Sequence, residues 1–328
     1  MAGDLPVAVD AMGGDNAPEE IVAGARRAAD ELGVAVVLVG PPEVLGDAAG
    51  LEVIPASEVI GMDDDPAQGV RRKKDSSLVR AAEAVRDGRA LAMVSAGNTG
   101  ATMASALLRM GRLKGVVRPA IATPIPNIGS HPSVLLDAGA NAECSAPMLV
   151  QFAQMGSAYS TARYGVAEPS VALLSIGEEK SKGSPLVKEA HALLEATSGI
   201  RFLGNVEGRD LLRGAADVVV TDGFTGNVAL KTLEGALRFL LDQLMAAFGA
   251  DEDTAKAAEV LLPHLGPLAS EFDPENTGGA MLLGVDGVCV ISHGSSSARA
   301  IVSAVRVAHD VATGGLVGRV AASVAAPL

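Results

Sequence analysis

Short runs of β-branched and aliphatic residues alternate along the chain with longer Ala- and Leu-rich stretches whose apolar positions recur at helical spacing, and glycine-rich turns mark the junctions. The apolar runs predict strands over residues 7–10, 35–39, 92–95, 134–137, 171–175, 218–221 and 288–292. The amphipathic stretches predict helices over 18–32, 77–87, 101–110, 147–164, 185–196, 227–248 and 296–312. Strands that alternate with helices in this way build a parallel α/β sheet, and such sheets bind ligands beyond the carboxyl ends of their strands. The strand-to-helix junctions are therefore where chemistry is expected.

With 328 residues the chain is long enough for two α/β lobes. The expected division is 1–145 plus 276–328 for one lobe and 146–275 for the other, with the active cleft between them. The turns Gly97-Asn98-Thr99-Gly100 and Gly223-Phe224-Thr225-Gly226 echo one another, each between a predicted strand and a predicted helix.

Composition narrows the function. Aromatic residues are 2% of the chain and there is no Trp, so a base-stacking surface has almost no material, and a net charge of -13 repels a phosphate backbone. Nucleic acid is excluded as a partner. Cys144 and Cys289 stand far apart, match no metal-ligand spacing and suit a reducing cytoplasm. The start at Met1-Ala2-Gly3-Asp4 has no basic segment followed by an apolar run, and no stretch reaches the roughly 20 apolar residues that span a bilayer. A cytoplasmic protein without a metal or other cofactor is expected.

Several junctions carry residues that handle anions. The Gly97 to Gly100 turn offers backbone N–H groups at a helix start, with Asn98 and Thr99 as side-chain donors, which suits an oxyanion or phosphate as well as an ordinary helix cap. Gly13-Gly14-Asp15-Asn16, ahead of Pro18, has the same choice of roles. Arg71, Arg72, Lys73 and Lys74 form the densest basic run, and Arg109, Arg112, Lys114 and Arg118 form a second cluster; either is a solvated surface or an attractor for an acidic partner. Lys182 lies in a polar turn after the 171–175 strand. Thr225 and Gly226 precede Asn227 and Lys231, which share one helix face, and Lys231 is either a phosphate clamp or a surface residue. His293 begins His-Gly-Ser-Ser-Ser at a further junction. No Walker A, GxGxxG, GxSxG or HExxH pattern is present.

Taken in order, these segments resemble the PlsX-type phosphate acyltransferases over residues 7–301. The matching stretches include 10–18 (DAMGGDNAP), 74–77 (KDSS), 95–101 (SAGNTGA), 137–144 (DAGANAEC), 151–159 (QFAQMGSAY), 176–183 (IGEEKSKG), 204–210 (GNVEGRD), 278–284 (GGAMLLG) and 293–296 (HGSS). The resemblance implies a two-lobed, parallel-sheet α/β/α fold similar to isocitrate and isopropylmalate dehydrogenases and phosphotransacetylases. It implies transfer of an acyl group from acyl carrier protein, or from acyl-CoA, to inorganic phosphate. The acyl phosphate would then serve phospholipid synthesis through a membrane glycerol-3-phosphate acyltransferase. A homodimer is implied as well.

On that reading Asn98, Lys182, Asn227, Lys231 and His293 are the catalytic set, and Gly14, Asp15, Asn16, Gly97, Thr99, Gly100, Thr225 and Gly226 hold phosphate. Arg71 to Lys74 guide the carrier. A helical hairpin over about 235–272 is expected to protrude. Its apolar residues Leu240, Leu241, Leu244, Phe248, Leu261 and Leu262 offer a docking patch, a dimer core or a peripheral membrane contact, although Asp242, Asp251, Glu252 and Asp253 weaken attraction to anionic lipid. Other readings are a short-chain CoA-dependent phosphotransacylase, a metal- and NAD-dependent dehydrogenase of the same fold, and a non-catalytic scaffold for carrier protein and lipid enzymes.

Overall fold

The computed structural model describes residues 5–129, 131–271 and 273–325, so the Met1 to Asp4 start and Phe272 at the end of the expected hairpin lie outside the described residues. The strands are β1 Val7–Asp10, β2 Val36–Gly40, β3 Glu52–Pro55, β4 Ala92–Ser95, β5 Ala120–Ile125, β6 Ser133–Leu136, β7 Ser170–Leu174, β8 Arg201–Val206, β9 Val218–Val220, β10 Ala280–Leu283 and β11 Cys289–Ile291. The helices are α1 Glu19–Leu32, α2 Pro42–Leu45, α3 Pro66–Arg72, α4 Ser77–Arg86, α5 Thr99–Ser105, α6 Ala146–Tyr164, α7 Pro185–Ala196, α8 Gly223–Phe248, α9 Glu252–Glu271, α10 Pro274–Thr277, α11 Ala298–Thr313 and α12 Leu316–Val324.

One 11-stranded sheet runs β3-β2-β1-β4-β11-β10-β5-β6-β9-β7-β8. Its two outer blocks, β3 to β11 and β6 to β8, are each internally parallel. Between them β10 is antiparallel to both neighbours, and β5 is antiparallel to β6. The sheet is thus mostly parallel, with a mixed centre that reverses the direction of the second block. Pro124 is tolerated within β5 because β10 pairs only as far as Ala122, so its missing N–H breaks no ladder bond on that side.

Alternation along the strands explains the layering. Val7, Val9, Val94, Leu136, Leu173 and Val220 face one core with α1, α6, α7, α11 and α12. Ala8, Val39 and Met93 face the opposite core with α3, α4 and α5, and Leu135, Ala172 and Val219 meet the first turns of α8 there. Burial on both faces is what near-continuous apolar strands require.

All seven predicted strands form, each within one residue of its expected limits. Four others do not follow from apolar runs. β3 and β8 are the sheet edges and are mostly exposed or half-buried; β5 contains Pro124, and β10 has no β-branched residue. Helix α8 starts at Gly223 rather than at 227, because Asp222 caps it, its Oδ1 accepting the Thr225 N–H at 2.8 Å. The apparent echo between the two G-x-T-G turns is therefore out of register. In the first, Asn98 is the cap and lies inside the motif; in the second, Asp222 is the cap and precedes it.

Candidate active site

The carboxyl ends of β1, β4 and β11 lie side by side, and the turns that follow them are tied into one cluster. Its anchor is Asp10, buried at the end of β1. Asp10 Oδ2 accepts the Ser95 hydroxyl at 2.7 Å, and Oδ1 accepts the Met12 N–H at 3.3 Å. Burial pushes the Asp10 carboxyl above the usual range, against hydrogen bonds from Ser77, Ser95 and Met12 that pull it down. The Gly97 N–H donates to Ser95 Oγ at 3.0 Å. Gly13 crosses over this group so closely that a Cβ there would stand 2.6 Å from Asp10 Oδ2 and 2.8 Å from Gly97 N. Only glycine fits.

The third turn closes onto the first two. The Asp15 N–H donates to the Gly294 carbonyl at 2.8 Å, and Asn16 Nδ2 reaches the carbonyls of Ser295 and Ser296 at 3.2 and 3.4 Å. Gly14 sits between Ala96 and Gly294. His293 is exposed, and its Nδ1 accepts the Ser295 N–H at 3.3 Å and lies 2.8 Å from Ser295 Oγ. With Nδ1 serving as acceptor, the neutral ring carries its proton on Nε2, which is left as an outward donor. Asn98 caps α5 by accepting the Ala101 N–H at 3.1 Å, while its amide donates to the Met62 and Asp64 carbonyls at 2.8 and 3.2 Å. Helix geometry gives the Thr99 and Gly100 N–H groups no intrahelical acceptor.

The basic run is joined to the same cluster. Lys73 Nζ binds the Val59 carbonyl at 2.8 Å and Asp64 Oδ2 at 2.5 Å, so it anchors the loop that Asn98 grips from the other side. Arg71, Arg72 and Lys74 remain exposed. In the second basic cluster, Arg112 donates to the Val117 carbonyl, and a shallow cavity of about 600 Å³ is lined by Leu107, Arg112, Val117 and Arg118.

A second cluster stands at the carboxyl ends of β6, β9 and β7, which are also neighbours. Asp137, fully buried, accepts five N–H donors: Ile121, Gly139 and Ala140 on Oδ1 at 3.0, 3.2 and 2.9 Å, and the Asn141 backbone and side chain on Oδ2 at 2.7 and 2.9 Å. The start of α8 packs onto this turn. A Cβ on Gly226 would fall 1.9 Å from the Asp137 carbonyl oxygen. Asn227 packs over Gly139. The Thr225 N–H and hydroxyl are both taken by Asp222, and the Gly226 N–H by the Asp222 carbonyl.

Lys231, one turn along α8, is exposed and pairs with Glu234 at 2.8 Å. Lys182 is exposed on the loop after β7. Among the described residues the two clusters share no hydrogen bond. Three anchors were missed in the sequence: Asp10, Ser95 and Asp137. The available signal was a polar residue, Asp or Ser, at the end of a strand shortly before a glycine turn.

Cys144, beside Asp137, donates to the Asn141 carbonyl at 3.6 Å. Burial, opposed by a hydrogen bond with Gly223 and reinforced by Asp137 and Asp222, pushes its thiol up to about 11. At neutral pH it is a thiol rather than a nucleophilic thiolate. Among the described residues no group of three or more His, Cys, Asp or Glu stands ready for a metal ion.

The α8–α9 hairpin leaves Phe239, Leu240, Met245, Val260 and Leu261 exposed. No single helix among the described residues is long and apolar enough to cross a membrane.

Comparison with known proteins agrees with this architecture. The chain is similar to the EutD phosphotransacetylase of Staphylococcus aureus (TM-score 0.61, 19% identity, covering 94% of this chain and 95% of that one). It is similar also to a 4-hydroxythreonine-4-phosphate dehydrogenase of Klebsiella pneumoniae (TM-score 0.55, 15% identity, 94% and 99% covered). At these identities the likeness speaks for the fold. In sequence the chain is 48% identical over 322 residues to the phosphate acyltransferase of Elusimicrobium minutum, covering 95% of this chain and 94% of that protein. It is 48% identical over 320 residues to that of Desulforamulus reducens, covering 95% of each. The model of the family described as "Fatty acid synthesis protein" matches residues 5–319, and the chain belongs to that family.

Proposed function

We propose that the protein is an acyltransferase that moves a long-chain acyl group from the thioester of acyl carrier protein to inorganic phosphate. A phosphate oxygen bonds to the thioester carbonyl carbon, the C–S bond breaks, and the carrier thiol leaves with an acyl phosphate as co-product. Inorganic phosphate is already anionic at neutral pH, with its dianion well populated, and a thiol of pKa about 8.5 is a good leaving group. The reaction needs positioning and oxyanion stabilisation more than a strong base.

The observation that carries this reading is the cluster at β1, β4 and β11. Its turns support the open first turn of α5 and an imidazole with an outward Nε2–H, both suited to oxygen anions. Thr99, Gly100 and the Gly14 to Asn16 turn hold phosphate, and His293 stabilises the developing oxyanion. Asn98 shapes the turn. Lys182, Asn227 and Lys231 face the same cleft from the second cluster, between lobes of 1–145 plus 276–328 and 146–275. Lys231 exchanges Glu234 for phosphate.

Arg71, Arg72 and Lys74 steer the acidic carrier despite the net charge of -13. The exposed hairpin serves a homodimer and peripheral contact with the cytoplasmic face of the membrane, where the acyl phosphate passes to a glycerol-3-phosphate acyltransferase.

The test is turnover with palmitoyl-acyl carrier protein against palmitoyl-CoA and acetyl-CoA. Preference for the long-chain carrier donor is expected. Turnover with acetyl-CoA alone would favour a short-chain phosphotransacylase, and binding of carrier protein without turnover of any donor would favour a scaffold.

A further inference from the structure

A buried polar pair lies behind the Lys182 loop. His191 of α7 is only 5% exposed, and its Nδ1 is 2.9 Å from Asn205 Oδ1 on β8. The orientation of the Asn205 amide is fixed by its other end. Nδ2 is 3.1 Å from the Glu179 carbonyl, which can only accept, so Oδ1 faces His191 and the imidazole proton sits on Nδ1. The same Glu179 carbonyl accepts the Lys182 N–H at 2.9 Å. An unbroken chain of hydrogen bonds thus leads from the core side of α7, through Asn205, to the backbone of Lys182.

The fold makes a local exception to place Asn205 there. Phe202 meets the His191 ring edge-on, with centroids 5.0 Å apart, and Asn205 meets the same ring three residues later. A regular strand would turn residues three apart to opposite faces. Here the β7–β8 register jumps between Val171 and Ala172, whose partners are Phe202 and Gly204, which leaves Leu203 bulged outward and exposed. Gly204 takes the φ of +105° that the bulge needs. Re-aiming one side chain beside a working loop is a recurrent use of such bulges.

We infer that Asn205, oriented by His191, is a positioning residue that holds the 175–183 loop and so sets where Lys182 stands toward phosphate. The inference rests on the proposed function, which places Lys182 in the cleft, and adds that its ammonium meets phosphate there. In Asn205→Asp a carboxylate oxygen faces the Glu179 carbonyl and the anchor becomes repulsive. His191→Phe keeps a ring against Phe202 and removes the donor that orients Asn205; it serves equally if the first variant does not fold.

The experiment compares both with Lys182→Ala and with a core control remote from the bulge, Val7→Ala, in the full-length protein, using palmitoyl-acyl carrier protein and inorganic phosphate. Each anchor variant is expected to raise the phosphate KM by about tenfold while changing kcat by less than about threefold. Each is also expected to speed native-state tryptic cleavage after Lys180 and Lys182 by about tenfold, which the core control at matched Tm does not do. An unchanged phosphate KM in Lys182→Ala overturns the role of that lysine, and the positioning role with it. A raised KM in Lys182→Ala beside unchanged KM and cleavage in both anchor variants overturns the positioning role alone.

Discussion

Asp10 and Asp137 stand at matching places in the two blocks of the sheet, each at the carboxyl end of a strand and each under a glycine-rich turn, but they are held differently. Asp137 is clamped by five N–H donors, four of them backbone groups that cannot turn away. Asp10 relies on the hydroxyls of Ser95 and Ser77, which can rotate, and on one long backbone contact. The difference shows how each block works. The Asp137 turn fixes the root of a long helix bearing Asn227 and Lys231, whereas the Asp10 turn joins three short loops that meet one another. A rigid socket suits the first and an adaptable knot suits the second.

Substitutions sharpen this contrast. The largest effect on stability is expected at the socket: Gly226→Ala drives a methyl into the Asp137 carbonyl, and loses on the order of 3 kcal/mol or more in urea unfolding. Asp137→Asn sets an amide N–H against N–H donors and loses roughly 3 kcal/mol. Equal loss in Asp10→Asn would erase the distinction. In catalysis, His293→Ala and Lys231→Ala are each expected to lower kcat/KM for phosphate by about 10²-fold without a change in fold, as read by steady-state kinetics and circular dichroism.

Asp10→Asn is expected to cost less than about 1.5 kcal/mol, because an amide can still accept from a serine hydroxyl. Its effect also depends on pH. The Asp10 carboxyl is raised in the folded protein above its ordinary 3.8, so its contribution is fully present below that value and is lost as pH climbs through the raised one. The stability of Asp10→Asn relative to the parent should therefore rise as pH increases from about 4 toward neutrality; a difference independent of pH would contradict the assignment. The smallest effect concerns the hairpin. Lys256 is already paired with Glu252 at 2.8 Å, so co-sedimentation with vesicles should change by less than about twofold when anionic lipid is added.

The strands of both clusters were legible because buried parallel strands write their periodicity locally. β1 and β4 match their predicted limits fully, and α7 does as well. What joins them was not legible, since Ser95 and Asp10 are 85 residues apart and Asn16 reaches Ser295 across 279. The edge strands β3 and β8 lack the apolar signature because one side of each has no neighbour. Thr225 and Gly226 read as an open anion turn, yet the Asp222 cap absorbs their donors; an acidic residue three positions before Thr225 was the signal for that cap. The candidate residues of the first cluster were found as separate turns, and the fold supplies the contacts that make Gly14, Asp15, Asn16, Gly97 and His293 one unit.

Release of free thiol from palmitoyl-acyl carrier protein, followed with and without inorganic phosphate while acyl phosphate is trapped as the hydroxamate, tests the central claim most directly. Release that requires phosphate and yields hydroxamate in equal amount is expected. Release that proceeds equally without phosphate, or no release from folded protein, would contradict it.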